Sequence, residues 1–223
     1  MSISTTFPKL SGSALKLIAI LSMVTGHCAY FLMEQGTPLY EAMRCFGRIA
    51  FPVFAFLIAE GFAHTRNRVR YFLTLCVFAI LSELSWHLLN GNDGTHNVMF
   101  TLALGVITFS IIDSNKLHYH KTLCISFVLV MALLATCLGV DYEWWGILMI
   151  VVFHLFKDKS IRLLFVLPLM MHYGLVGALL ASIMISFYNG QRGFIKGNIA
   201  KYGFYAFYPA HLLLIWLLHS LVQ

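Results

Sequence analysis

Charge is scarce in this sequence. Only nine of its 223 residues are Asp or Glu, and residues of either sign make up 11% of the chain. A soluble domain carries about 25%. There are five cysteines (Cys28, Cys45, Cys76, Cys124 and Cys137), an odd number with no close pairs. That argues against a disulfide framework or a cysteine-based zinc site, and casts them as core packers. The first apolar run has no A-x-A-like cleavage site and is followed by further runs, so a cleavable signal peptide is not expected. No internal repeat marks two inverted transporter halves. Neither a low-complexity tail nor a separate soluble domain interrupts the pattern, so residues 1–223 read as a single domain.

What the chain has is hydrocarbon. Hydrophobic residues are 60% of it, and runs long enough to meet a bilayer recur from end to end. The expected fold is all-α: a polytopic integral membrane bundle with about nine transmembrane helices, near 14–33, 46–64, 69–89, 97–112, 121–139, 144–156, 161–172, 174–188 and 202–221. Loop charge fixes the orientation. Lys9 and Lys16 precede the first span. Arg66, Arg68 and Arg70 follow the second, Lys116 and Lys121 the fourth, Lys157, Lys159 and Arg162 the sixth, and Arg192, Lys196 and Lys201 the eighth. The intervening loops hold Asp93, or Asp141 and Glu143, with no Lys or Arg; only the first loop, with Arg44 and Arg48 opposite Glu34 and Glu41, departs from this. Positive charge on alternate loops places the N-terminus in the cytoplasm. The net charge of +6 therefore reads as topology, with the lipid bilayer as partner and no nucleic acid.

Ionisable groups inside such spans cost at least about 2.5–3.5 kcal/mol at the bilayer centre, so each needs a reason. Lys16 and His27 are eleven residues apart in the first span. That is three helical turns, on one face and about 16 Å apart. Arg44 and Arg48 stand at i and i+4 where the second span begins, a pair of guanidiniums able to clamp an anion. Pro52 deprives the Arg48 carbonyl of its helical partner. Glu60, at the far end of that span, is expected to pair with the basic loop beside it. In "SELSWHL", Glu83 and His87 share a face, and a carboxylate there can orient the imidazole. Asn97 and Thr101 follow at the same depth. The last span carries Tyr208 and His211 around Pro209, which is expected to break the helix locally. "DYEWWG" (141–146) is expected to be an aromatic anchor at the outer interface. The histidines at 64, 118, 120, 154, 172 and 219 lie mostly at span ends. No pair has trustworthy metal-ligand spacing, so no metal is expected.

Taken together, His27, Arg48, Glu83, His87, Asn97 and His211 form an expected cluster in the outer half of the membrane. It supplies a general base, an orienting acid and oxyanion donors, and suits acyl transfer to an amine or hydroxyl. A transporter or channel for a small ion or lipid, and a non-catalytic assembly protein, fit the same cluster. Substrate flux without a donor would mark the former, and function without His27 and Arg48 the latter.

From about Ala14 onward, "ALKLIAILSMVTGH", "RCFGRIAFPVFAFLIAEGFAHTRN", "SEL", "HNVMFTLALG", "WGILMIVVFHLF", "YNGQRG" and "KYGFYAFYPAHLLL" resemble the TraX family. That family is named for a membrane protein that N-acetylates conjugative pilin, and is grouped with membrane acyltransferases of surface glycans. The resemblance implies a multi-pass acetyltransferase of the bacterial cytoplasmic membrane. Its donor would be acetyl-CoA and its acceptor a pilin-like peptide or a glycan. The glycan enzymes carry a basic residue and a histidine in their first span with ten residues between them, a spacing that Lys16 and His27 reproduce. The carry-over falls on His27 as catalytic histidine, Lys16 as donor-side group, Arg48, Tyr208 and His211. Joined to the polar groups read from the spans, it makes His27, Glu83 and Arg48 the catalytic candidates and Lys16, Arg44, His87, Asn97, Tyr208 and His211 candidates for donor or substrate binding. The family usually has Asp before the histidine where this chain has Gly26, so either Glu83 serves His27 from across the bundle or His27 works without a carboxylate.

Overall fold

A computed structural model describes residues 9–114 and 120–222; Lys116 and His118 lie outside the described residues. The described chain is helical, apart from the isolated bridges Leu10–Tyr188 and His96–Val140. Its helices are α1 (Gly12–Leu32), α2 (Pro38–Gly47), α3 (Ala50–His64), α4 (Arg68–Asn90), α5 (Val98–Ile112), α6 (Lys121–Cys137), α7 (Glu143–Leu155), α8 (Lys159–Met171), α9 (Leu175–Ser186) and α10 (Asn198–Val222).

Four stretches are long and apolar enough to cross a membrane: α1, α2 with α3 (Pro38–His64), α4 and α10. α5, α6, α7 and α9 are apolar but shorter. At 1.5 Å per residue, a 13-residue helix such as α7 spans about 20 Å of a core about 30 Å thick. The expected second span is thus two helices, and it begins at Pro38 rather than near residue 46. The junction follows from Pro52. Its missing N–H leaves Arg48 without a partner at i+4, and regular helix resumes with Val53 N–H donating to the Ile49 carbonyl at 3.3 Å.

α3 lies at the centre, against α1, α5, α7 and α9. Phe56 and Phe62 from α3 meet Phe153 of α7 and Phe109 of α5 there, all four buried. The outside is equally apolar. Leu21 on α1, Ile80 and Leu84 on α4, and Leu133 on α6 are 63–69% exposed. A water-soluble monomer does not tolerate such belts; hydrocarbon does. The protein is a helical membrane bundle.

α1 and α2 approach closely where they cross. Gly26 and Gly47 meet backbone to backbone: a Cβ at Gly26 would lie 2.9 Å from Gly47 Cα, and one at Gly47 2.5 Å from Gly26 Cα. Ser22, buried one turn earlier, donates to the carbonyls of Phe46 (2.6 Å) and Gly47 (3.1 Å). This crossing sets Arg44 and Arg48 beside His27.

The start of α1 is held by the segment before α10. The amides of Gly12 and Ser13 donate to the carbonyls of Gln191 and Arg192 at 2.8 and 2.9 Å. The Ser13 hydroxyl donates to the Arg192 carbonyl at 2.8 Å and accepts from the Ile195 amide at 2.9 Å. Four hydrogen bonds thus tie the helix start to one loop.

Candidate active site

A cavity of about 400 Å3 opens beside the C-terminal half of α1. Its polar lining is His27 from α1, Arg44 and Arg48 from the α2–α3 junction, Asp141 and Tyr142 from the α6–α7 turn, His172 and Tyr173 from the α8–α9 turn, and Tyr208 from α10. Such a volume suits a small-molecule site.

His27 Nδ1 lies 2.9 Å from His211 Nε2, with the two rings nearly coplanar at 9°. His211 Nδ1 lies 3.0 Å from the Phe207 carbonyl. A carbonyl can only accept, so His211 Nδ1 carries its proton and Nε2 offers a lone pair. His27 must then donate from Nδ1, which leaves His27 Nε2 as a bare acceptor on a residue that lines the cavity. The tautomer of one histidine is set through another by a main-chain oxygen. His211 is neither a distant binding group nor exposed: it is buried and touches His27 directly.

The arginines sit on opposite supports. Arg44 Nη1 donates to the Gly26 carbonyl at 3.2 Å, and the guanidinium lies 5.0 Å from the Tyr30 ring centre. Arg48 runs over the α8–α9 turn. A Cβ on Gly174 would come within 2.5 Å of Arg48 Nη1, and one on Gly177 within 2.7 Å of Arg48 Cβ. These two glycines make the trough in which Arg48 lies. Among the described residues its guanidinium has no ion pair and no hydrogen-bonded acceptor, so its charge is available to the cavity.

Two expectations are corrected here. Glu83 does not reach His27. It faces His87 Nε2 at 3.3 Å, His96 Nδ1 at close range, and Asn97 Nδ2 at 2.5 Å. Glu83, His87 and Asn97 therefore form a second cluster behind Val98 and Tyr208, with three ligand atoms of Glu83, His87 and His96 within 4.8 Å of one another. The single outer cluster expected from sequence is two. α10, meanwhile, is continuous through Pro209 and packs along α4; the proline removes only the amide partner of the Tyr205 carbonyl. Tyr208 lines the cavity, and its buried hydroxyl has no well-formed hydrogen bond.

Lys16 lies at the other end of α1, near enough to Arg192 and Lys201 for their charges to act on it, and 5.9 Å from the Phe204 ring centre. Three cations with no carboxylate among them suit a polyanion. Glu60 does not pair with the loop after α3; its carboxylate faces Tyr188 and the buried Arg162.

Asp141 and Tyr142 were not legible as site residues. "DYEWWG" is a cavity wall as well as an aromatic cluster. Tyr142 and Glu143 have positive φ, 65° and 41°, a conformation that costs a non-glycine residue about 1–3 kcal/mol. It turns the Tyr142 ring onto Phe51, with ring centres 3.7 Å apart. Burial pushes the Asp141 carboxyl up to about 7, opposed by a backbone hydrogen bond from Tyr142 and by the nearby Arg44 guanidinium.

A family model described as TraX protein matches residues 11–219. The chain belongs to the TraX family. It is 29% identical to a protein of Dichelobacter nodosus named "Probable fimbrial assembly protein FimC, serogroup H1", over 92% of this chain and 94% of that protein. No solved structure matches it significantly. Within this TraX chain, His27 and Arg48 from the sequence-based catalytic set share the cavity with Arg44 and Tyr208, whereas Glu83 stands apart.

Proposed function

We propose that the protein is a membrane acetyltransferase that moves the acetyl group of acetyl-CoA to an amine or hydroxyl. The reading rests on one observation above all: the His27–His211 pair leaves a lone pair on His27 Nε2 in a cavity that also holds Arg44 and Arg48. In the reaction, His27 Nε2 takes the proton from the acceptor. The acceptor nitrogen or oxygen bonds to the thioester carbonyl carbon, and the carbon–sulfur bond breaks. CoA leaves as the thiol with the proton that His27 held. His211 accepts from His27 Nδ1 throughout and so shares the charge of the protonated ring. The guanidiniums stabilise the negative oxygen of the tetrahedral intermediate.

The cations Lys16, Arg192 and Lys201 suit the phosphates of the donor at the cytoplasmic end of α1. Nine crossings, a cytoplasmic N-terminus and the bacterial inner membrane complete the picture, with the short helices tilted or supported by neighbours. The relative's name favours a pilin-like peptide over a glycan as acceptor.

The test is labelled acetyl-CoA with the full chain in nanodiscs and candidate acceptors. Transfer by wild type, lost in His27→Asn and Arg48→Gln, is expected. Equal transfer by wild type and His27→Asn would sink the mechanism. The relative's name also favours a second reading, a non-enzymatic assembly factor; full fimbrial assembly in cells with His27→Asn would select it.

A further inference from the structure

The Glu83–His87–His96 cluster is left over from the proposed reaction. It lies outside the cavity; spacing along the chain joined Glu83 to His87 but gave no reason to add His96, which comes from a loop. Glu83 and His87 are one turn apart on α4; His96 reaches them from the segment before α5. We propose that these three side chains bind a divalent transition-metal ion of the zinc class, which fastens the end of α4 to the wall of the cavity.

The donor set is the first argument. Two imidazole nitrogens and one carboxylate oxygen suit zinc, and three protein ligands leave a fourth position for water. The ligand atoms already lie within 4.8 Å of one another. His87 Nε2 stands 3.3 Å from Glu83 Oε1, close to the separation of two ligands on a tetrahedral ion with bonds of about 2.0–2.2 Å. Both histidines turn to the same oxygen, which ordinary hydrogen bonding does not require. His87 Nδ1 is buried with no hydrogen-bond partner among the described residues.

The support behind the ligands is the second argument. Asn97 is fully buried. Its amide nitrogen donates to Glu83 Oε2 at 2.5 Å and to the Ala79 carbonyl at 2.9 Å, while its oxygen accepts from the Met99 amide at 3.1 Å. The Ala79 and Met99 backbone groups fix the Asn97 amide, which in turn holds one carboxylate oxygen while the other faces the histidines. Outer partners of this kind orient metal ligands. The histidine side chains are 38% and 41% exposed, so an ion has a path in.

The consequence lies in the backbone of His96. Its N–H donates to the Gly139 carbonyl at 2.9 Å, and its carbonyl accepts from the Asp141 amide at 2.8 Å. Asp141, Tyr142 and Val98 line the cavity. An ion on His96 therefore locks α4 to both segments that form this wall. The rival is a metal-free triad in which Glu83 bridges two imidazoles.

The experiment uses tag-free full-length protein in nanodiscs, stripped with chelator, dialysed against micromolar zinc, gel-filtered and analysed for metal. One zinc per chain is expected in wild type, with loss in His96→Gln and at least tenfold weaker binding in Glu83→Gln. Zinc should raise the melting temperature of stripped wild type and leave His96→Gln unmoved. Substoichiometric zinc in wild type, or equal zinc in His96→Gln, overturns the proposal. Should His96→Gln not fold, cobalt decides on wild type alone. Intense visible bands of low-coordinate cobalt, displaced by zinc, support the site; their absence rejects it.

Discussion

His27 performs the proposed base role without a carboxylate beside it. The Phe207 carbonyl fixes His211, and His211 fixes His27. Removing the base should therefore be more severe than removing the group that orients it. His27→Asn is expected to lower kcat by about a hundredfold to ten-thousandfold, the range for general-base catalysis. His211→Asn should lower kcat by about tenfold to a hundredfold with little change in KM; an unchanged kcat in initial-rate assays would remove His211 from the mechanism. Gly26 explains why no aspartate stands there. Its Cα face is filled by Gly47, so Gly26→Asp must push two backbones apart. Overpacking of this kind costs about 1–3 kcal/mol. A lower melting temperature together with lower transfer is expected, whereas a gain in transfer would contradict this account. His27 and Arg48, which line the cavity, were legible from the sequence because they are charged or titratable groups in apolar runs. Asp141 and His96 were not: both sit in loops, and a positive φ at Tyr142 and Glu143 leaves no mark in residue type.

Among the helices, the α2–α3 junction does most to shape the site. Pro52 interrupts the ladder at Arg48, and Gly174 and Gly177 receive the arginine. Pro52→Ala restores an amide that can bond the Arg48 carbonyl and run α2 into α3. Arg48 then turns on the helix away from its trough. Transfer is expected to fall by about tenfold or more, as for other small misplacements of reacting groups, with far-UV circular dichroism unchanged; full activity would show that the break does not position Arg48. The proline was readable in sequence, and so was the freed carbonyl. The trough was not, since it needs two glycines about 130 residues downstream. The continuity of α10 through Pro209 shows the reverse error, a local rule overridden by packing against α4.

At the scale of the whole molecule, fold class was the most legible property. Composition alone excludes a soluble surface, and hydrophobic runs locate most helices to within a few residues. The number of crossings was less legible because helices of 12 or 13 residues look like spans in a hydropathy profile. Orientation is open to a direct check. In a chain with its five cysteines replaced by alanine, Asn92→Cys between α4 and α5 should react with an impermeant maleimide on intact cells. Gln191→Cys before α10 should react only after lysis. Labelling of Gln191→Cys from outside would invert the topology, and with it the side from which the donor arrives.

The His27–His211 contact joins residues 184 positions apart. During synthesis, α1 enters the membrane long before α10 exists. His27 passes that interval with its ring unfixed and its tautomer free to exchange. No partly made chain can hold the base in its working form, whatever its remaining helices have done. The His27–His211 contact of the proposed mechanism therefore forms only once α10 is inserted. On the proposed mechanism, a chain that stalls before residue 211 has its base but not the contact that orients it.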